Sequence, residues 1–475
     1  MKKLGSTLIL AGAAASCLST KPAPQTPNIV FILADDLGWG DVGCYGQQRF
    51  QTPNIDSLAA RGLRFTQCYS GTTVSAPSRS CLITGTHSGH TPIRGNLELD
   101  PEGQFPLPEG GASIFLDLKK AGYTTGAFGK WGLGFIGTSG DPQRQGVDRF
   151  FGYNCQLLAH NYYPDHLWDN GTRIELDTDL PYGAGTYAPD LIHGKALEFL
   201  EDAVAQGKPF FMWYPTTIPH AELIVPEDSI IQRLRGVYPE TPFHGVDDGP
   251  FFRKGGYCSQ DYPHATFAAM VTRLDGYVGD IVQKLKELGV YDNTLIIFAS
   301  DNGPHKEGGA DPDFFDSNGP WRGYKRDVYE GGIRVPMIVA WQGHVAAGAE
   351  SDFPCSFWDL MPTFRELTGS PAGEGLDGVS LLPLWEGREG QREHDYLYFE
   401  FQELGGRQAV RQGPWKLVHL DIRSDAPRFE LYNLDEDPGE TRDLAAQYPE
   451  VLARLQGIML QAHTPNPNFP VLKGE

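Results

Sequence analysis

Asn28-Ile29-Val30-Phe31-Ile32-Leu33-Ala34-Asp35-Asp36 is an apolar, β-branched run that stops on two adjacent acids. A short run of this kind without alternation reads as a strand covered on both faces. The same texture returns at Thr124–Phe128, Pro209–Tyr214, Thr294–Ser300 and Pro336–Trp341. Between these runs, Ile55–Arg61, Ser113–Ala121, Ala188–Ala205 and Thr266–Leu288 carry apolar residues at helical spacing. Strands alternating with helices predict an α/β fold, a mostly parallel sheet flanked by helices. Beyond about Gly378 the texture changes. Tyr396–Phe401, Arg407–Arg411, Trp415–Leu420 and Phe429–Asn433 are short strand candidates at close spacing, and Pro449–His463 reads as an amphipathic helix. This predicts a catalytic domain over 27–378 and a smaller C-terminal subdomain over 379–475, an antiparallel sheet plus a helix.

Ligands of open α/β sheets bind at the carboxyl ends of the strands. Here those ends carry chemistry. Asn28–Ala34 runs into Asp35-Asp36, Thr294–Ser300 into Asp301-Asn302, Thr124–Gly129 into Lys130, and Pro209–Tyr214 into a loop holding His220. Either acidic pair alone reads as an ordinary strand-to-loop turn. Two such pairs after two buried strands offer an all-oxygen ligand set, which suits a hard divalent cation, calcium more than magnesium.

The chain of 475 residues has a formal net charge of −21 and a hydrophobic fraction of 40%. That is enough apolar material for a large core, and the acidity argues against nucleic acid and anionic membrane surfaces as partners. Lys2 and Lys3 precede an apolar stretch, Leu4–Ala15, too short to span a bilayer. Ala14-Ala15-Ser16-Cys17 resembles a lipobox, so residues 1–17 read as an export signal ending at a lipidated Cys17, and 18–26 as a tether. The expectation is an exported protein, a periplasmic or cell-surface bacterial lipoprotein held to the membrane through Cys17. Of the seven cysteines none forms a C-x-x-C pair, which argues against a zinc site.

The most specific stretch is Val74-Ser75-Ala76-Pro77-Ser78-Arg79-Ser80-Cys81-Leu82-Ile83-Thr84-Gly85. Pro77 suits the first turn of a helix and Gly85 its end. Ser75 then sits at a helix N-terminus, as a cap or as an activated serine over an anion site. Arg79, one turn on, can fork onto the same anion. Ser75-x-Pro77-x-Arg79 followed by Leu82-Ile83-Thr84-Gly85 resembles the maturation signature of the formylglycine-dependent sulfatases. The likeness continues through Asp35-Asp36-Leu37-Gly38, Thr52-Pro53-Asn54-Ile55, Gly129-Lys130-Trp131, Ser300-Asp301-Asn302-Gly303, Lys325, Glu330–Pro336 and Leu431-Tyr432-Asn433-Leu434.

The resemblance implies an alkaline-phosphatase-like fold, with a mixed, mostly parallel sheet, and a sulfuric ester hydrolase. It implies that a maturase converts Ser75 to formylglycine, whose hydrate attacks sulfur. Calcium would be held by Asp35, Asp36, Asp301, Asn302 and residue 75. Arg79, Lys130 and Lys325 would balance the charge of the transferring group, and His220 would protonate the leaving oxygen. One departure stands out. Many members carry Gly-Lys-Trp-His-Leu-Gly with a histidine that assists the nucleophile, where this chain has Gly132. Either another group substitutes, His305 being the nearest by sequence, or calcium and water suffice. The stretches His160–Trp168 and His305–Gly309 look like those of bacterial carbohydrate sulfatases. They point to a sulfated carbohydrate substrate, a 4-O-sulfate on galactose or N-acetylgalactosamine, with Arg94, Asn161, His166, Glu222, His305 and Glu307 as substrate-binding candidates. The rival readings are a phosphodiester or phosphonate monoester hydrolase of the same superfamily and an inactive glycan-binding lipoprotein.

Overall fold

A computed structural model describes residues 26–100, 102–247 and 256–475. The export signal, Cys17 and most of the tether lie outside the described residues. Fifteen strands build the two sheets that matter here: β1 Asn28–Ala34, β2 Leu63–Tyr69, β3 Thr124–Lys130, β4 Arg149–Tyr153, β5 His166–Asp169, β6 Thr172–Glu175, β7 Phe210–Pro215, β8 Thr294–Ser300, β9 Arg334–Ala340, β10 Ala349–Ser351, β11 Cys355–Ser356, β12 Leu397–Phe401, β13 Arg407–Gln412, β14 Trp415–Leu420 and β15 Arg428–Asn433. The helices needed below are α1 Pro53–Ala60, α2 Ser75–Thr84, α3 Ile114–Lys120, α4 Ala188–Ala205, α5 Pro263–Glu287, α6 Leu360–Leu367 and α7 Pro449–Ala462.

The large sheet has 11 strands in the order β10-β2-β9-β8-β1-β7-β3-β4-β5-β6, with β11 also on β2. Its centre, β8-β1-β7-β3-β4, is parallel throughout. All seven residues of β1 are buried. Alternation divides them between two cores. Val30, Ile32 and Ala34 face α1, α4 and α5, whereas Ile29, Phe31 and Leu33 face α2, α3 and α6. This is why the run lacks polar alternation.

The expected elements recur with small shifts at their ends, and Pro336–Trp341 is a run that makes the sheet mixed, as expected. It belongs to β9, which runs antiparallel to β8 and to β2. Direction is not written in an apolar run, because both kinds of ladder bury the same residues. β2 was absent from the sequence reading because Arg64, Thr66 and Gln67 break up its apolar face. The hairpin β5–β6 was absent for the same reason.

The small sheet is antiparallel, β12-β13-β14-β15. One face, with Phe399, Ala409, Val418 and Tyr432, packs on Tyr69, Ile333 and Trp358 of the large unit. The other, with Tyr398, Val410, Leu417 and Leu431, is covered by α7 through Leu455, Met459 and Ala462. Among the described residues all six cysteines are free thiols, and no helix is long and apolar enough to cross a membrane.

Candidate active site

β1 and β8 are paired in register through Ala34 and Ser300, so the acids that follow them emerge side by side. Asp36 adopts φ of 63°, and its N–H donates to Asp301 Oδ1 at 3.1 Å. Asn302 Nδ2 donates to Asp36 Oδ1 at 2.7 Å. Asp35, Asp36, Asp301 and Asn302 are all 0% exposed. Asn302 Oδ1 has no partner among the described residues. A buried orphaned oxygen beside three carboxylates fits a hard cation, which takes oxygen ligands only.

Helix α2 starts at Ser75, runs through Pro77 and closes at Gly85. Ser75 is its first residue and not its cap: the hydroxyl donates to Asp35 Oδ1 at 2.8 Å. Lys130 Nζ donates to Asp35 Oδ2 at 2.7 Å. Arg79 forks onto Asp301 Oδ2 from Nε at 3.1 Å and Nη2 at 2.9 Å, and lies 3.6 Å from Asp35 Oδ2. Its Nη1 donates to the Lys130 carbonyl. Lys130 reaches inward because Gly129 lets β3 turn at φ of 135°. A β-carbon there would sit 1.9 Å from the Pro215 carbonyl oxygen.

On the other side Lys325 Nζ donates to Asp36 Oδ2 at 2.8 Å and Glu307 Oε2 at 3.1 Å, and lies 2.9 Å from His220 Nε2. His220 Nδ1 faces the Ala221 carbonyl. A carbonyl only accepts, so Nδ1 carries the proton and Nε2 accepts from the Lys325 ammonium. The His220 ring lies between two others, stacked on His160 at 4.6 Å and His305 at 5.5 Å between centroids.

The charges follow from this crowding. Burial pushes the Asp35 carboxyl up, but Lys130, His220 and Arg79 together hold it well below the usual range. Burial and then the Asp35 charge raise Asp301 to about 7 in the absence of a cation. Burial and Lys325 press His220 well below an ordinary histidine. Burial lowers the Lys325 ammonium, and Asp36 and Glu307 more than reverse it. Burial raises Glu307, and Lys325, His220, His305 and Arg326 outweigh it downward.

Of the residues expected to bind substrate, Glu307 lies in the site, gripped by Lys325, Arg326 and the Tyr257 hydroxyl. His305 lies there too, with a ring nitrogen within 4.8 Å of carboxylate oxygens of Asp36 and Glu307, whereas Arg94, His166, Asn161 and Glu222 make contacts within the scaffold. Arg94 bonds Glu400 at 2.9 Å and the Thr91 carbonyl. His166 lies on β5 with its ring nitrogens 2.7 Å from Asp165 and 2.8 Å from Glu102. Asn161 Oδ1 accepts from Tyr163 N–H and Tyr182. Glu222 accepts from Tyr162 N–H and Tyr182, and burial raises it to about 7. His305 meets Pro219 O through Nε2 and Glu307 N–H through Nδ1, so both ring nitrogens are taken by backbone. That arrangement corrects the reading of His305 as the substitute for the histidine missing at Gly132. Sequence reasoning overlooked Arg326, Tyr257 and the unpartnered Nδ1 of His160. The adjacency of Arg326 to Lys325 was the one signal available.

A family model described as Sulfatase matches residues 27–370, and one described as N-sulphoglucosamine sulphohydrolase, C-terminal, matches 319–464. The chain belongs to the sulfatase family. It is 32% identical to arylsulfatase A of Homo sapiens over 490 residues, covering 92% of this chain and 87% of that protein. It is 29% identical over 504 residues to an N-acetylgalactosamine-6-O-sulfatase of Bacteroides thetaiotaomicron, covering 93% and 94%. The solved structure of Ps i-CgsB in complex with k-i-k-neocarrahexaose superposes with a TM-score of 0.77 at 29% identity, covering 95% of each chain. Sulfatases are generally formylglycine- and metal-dependent, and the buried oxygen cluster here suits that need. This sulfatase is therefore a sulfuric ester hydrolase.

Proposed function

We propose that this sulfatase removes a 4-O-sulfate from galactose or N-acetylgalactosamine, using formylglycine formed at Ser75 and a calcium ion held by Asp35, Asp36, Asp301 and Asn302. The observation that carries the mechanism is the convergence on Asp35. Ser75 Oγ and Lys130 Nζ reach its two oxygens at 2.8 and 2.7 Å, with Arg79 at 3.6 Å. When present, the hydrated aldehyde supplies the nucleophilic oxygen and calcium supplies charge compensation for the sulfate.

The remaining work falls to side chains. Arg79 and Lys130 hold positive charge beside residue 75, where negative charge collects as sulfur is attacked. Their positions are set by Asp301 and Asp35, so no reorganisation is needed at that moment. The leaving oxygen needs a proton. That proton stands on Lys325 Nζ with His220 Nε2 as its acceptor, 2.9 Å away. The proton source is thus the couple of Lys325 and His220, and Glu307 keeps the lysine charged.

The 4-position rests on the resemblance in sequence, including Gly132. The N-acetylgalactosamine-6-O-sulfatase of Bacteroides thetaiotaomicron supports a second reading, a 6-O-sulfate of N-acetylgalactosamine. Mass spectrometry of the Ser75 peptide, from protein made with a maturase, should show the loss of two hydrogens. Sulfate release from 4-sulfated and 6-sulfated galactose and N-acetylgalactosamine then decides the position. Turnover of the 6-sulfated sugars alone would replace the first reading by the second. An unmodified Ser75 in active enzyme would overturn the formylglycine mechanism.

A further inference from the structure

Gly132 lies two residues beyond Lys130, in left-handed backbone at φ of 70°. A β-carbon built on it would come 1.9 Å from Gln156 Nε2 and 2.9 Å from Gln156 Cδ. The Gln156 amide therefore fills the volume in which a side chain on residue 132 would begin. Backbone pairing holds the two segments together: the Gly132 N–H donates to the Asn154 carbonyl at 3.0 Å. The Gln156 N–H is itself tied to Gln104 Oε1 at 3.1 Å.

Gln156 is 2% exposed and Asn154 0%. Among the described residues, neither the oxygen nor the nitrogen of either side-chain amide has a hydrogen-bond partner. Buried amides are ordinarily satisfied, and these two lie just past the carboxyl end of β4, alongside the β3 end that carries Lys130.

We infer that the Gln156 side-chain amide takes the place of the side chain missing at Gly132 and hydrogen-bonds the sulfate group of the bound ester, with Asn154 beside it. The inference rests on the sulfatase reading above. An amide N–H donates to a sulfate oxygen but cannot take up a proton near neutral pH. Gln156 thus orients the ester and stabilises its charge, and the nucleophile is deprotonated elsewhere.

The test uses full-length Gln156→Leu, a replacement of similar volume, and Gln156→Asn. The readouts are kcat and KM on the sulfated sugar, inorganic sulfate binding by titration calorimetry, and Tm. Sulfate binding is measured on both the converted and the unconverted Ser75 protein. Gln156→Leu should lower kcat by about tenfold or more. It should weaken sulfate binding several-fold in both forms and leave Tm equal or higher, since an apolar group replaces atoms that had no partner. Gln156→Asn should restore part of the sulfate affinity. Unchanged sulfate affinity in Gln156→Leu overturns the inference. So does a fall in Tm that accompanies the loss of binding, because it marks a scaffold role. Wild-type protein with a converted residue 75 and no turnover would count against the substrate reading, while the sulfate titration would still decide the role of Gln156.

Discussion

Asp41 shows what burial does to one carboxyl in this protein. It is 0% exposed, accepts from Ser317 Oγ at 2.5 Å and from the Gly38 N–H at 2.8 Å, and is raised by burial to about 7. A raised folded value favours the native state fully below the unfolded value, and that advantage is lost as pH climbs through the folded one. Asp41→Asn keeps both hydrogen bonds and removes the titration. Its stability relative to wild type should therefore rise between pH 4.5 and 7.5 by about 3 kcal/mol. Urea midpoints at the two pH values read it directly, and a pH-independent difference would show that Asp41 ionises normally. At this scale the reactive centre was legible. Ser75, Arg79, Lys130, Asp35, Asp36, Asp301, Asn302, His220 and Lys325 all converge, because each sits at a strand end or in a fixed-spacing motif. Arg94, His166 and Asn161 make scaffold contacts here, and a polar residue that holds a loop carries the same letters as one that holds a sugar.

Among elements, β3 depends on a single backbone position. Gly129 adopts φ of 135°, and an added β-carbon would meet the Pro215 carbonyl at 1.9 Å. Gly129→Ala must push β3 away from β7 and carry Lys130 off Asp35. Overpacking and left-handed strain together suggest a loss of about 3 kcal/mol. Guanidinium denaturation should show it, with sulfate release falling more than stability. Full activity with an unchanged midpoint would mean that β3 has room which the contact denies. The central strands were readable because burial on both faces removes polar residues from β1, β7 and β8. The strands β2, β5 and β6 lie toward the sheet margins, where one exposed face restores polar residues and hides the pattern.

Across the molecule, buried charge joins the two sheets. Lys416 on β14 reaches Glu330 and Glu440 at 2.8 Å each, and its side chain is 1% exposed. Burial works against the Glu330 charge, but Lys416, Arg334 and Arg411 bring it down to about 2, while burial raises Glu440 to about 7. Lys416→Met leaves Glu440 buried without its cation and Glu330 dependent on Arg334, which costs about 3–5 kcal/mol. Calorimetry should show one transition moved down as a whole. A separate low-temperature peak would mean that the small sheet melts alone. The texture change near residue 378 foretold a second sheet, yet no local pattern could foretell a lysine shared between distant acids.

The burial of α2 sets an order of events. All ten residues from Ser75 to Thr84 are buried, and Ser75 itself is 2% exposed. No enzyme-sized catalyst can reach that hydroxyl once the sheet has closed over it. Any chemical conversion of residue 75 must therefore catch the chain while it is still extended, in competition with collapse. If residue 75 is converted as proposed, the active fraction of a preparation is decided before the chain folds, and supplying the converting enzyme to folded protein comes too late.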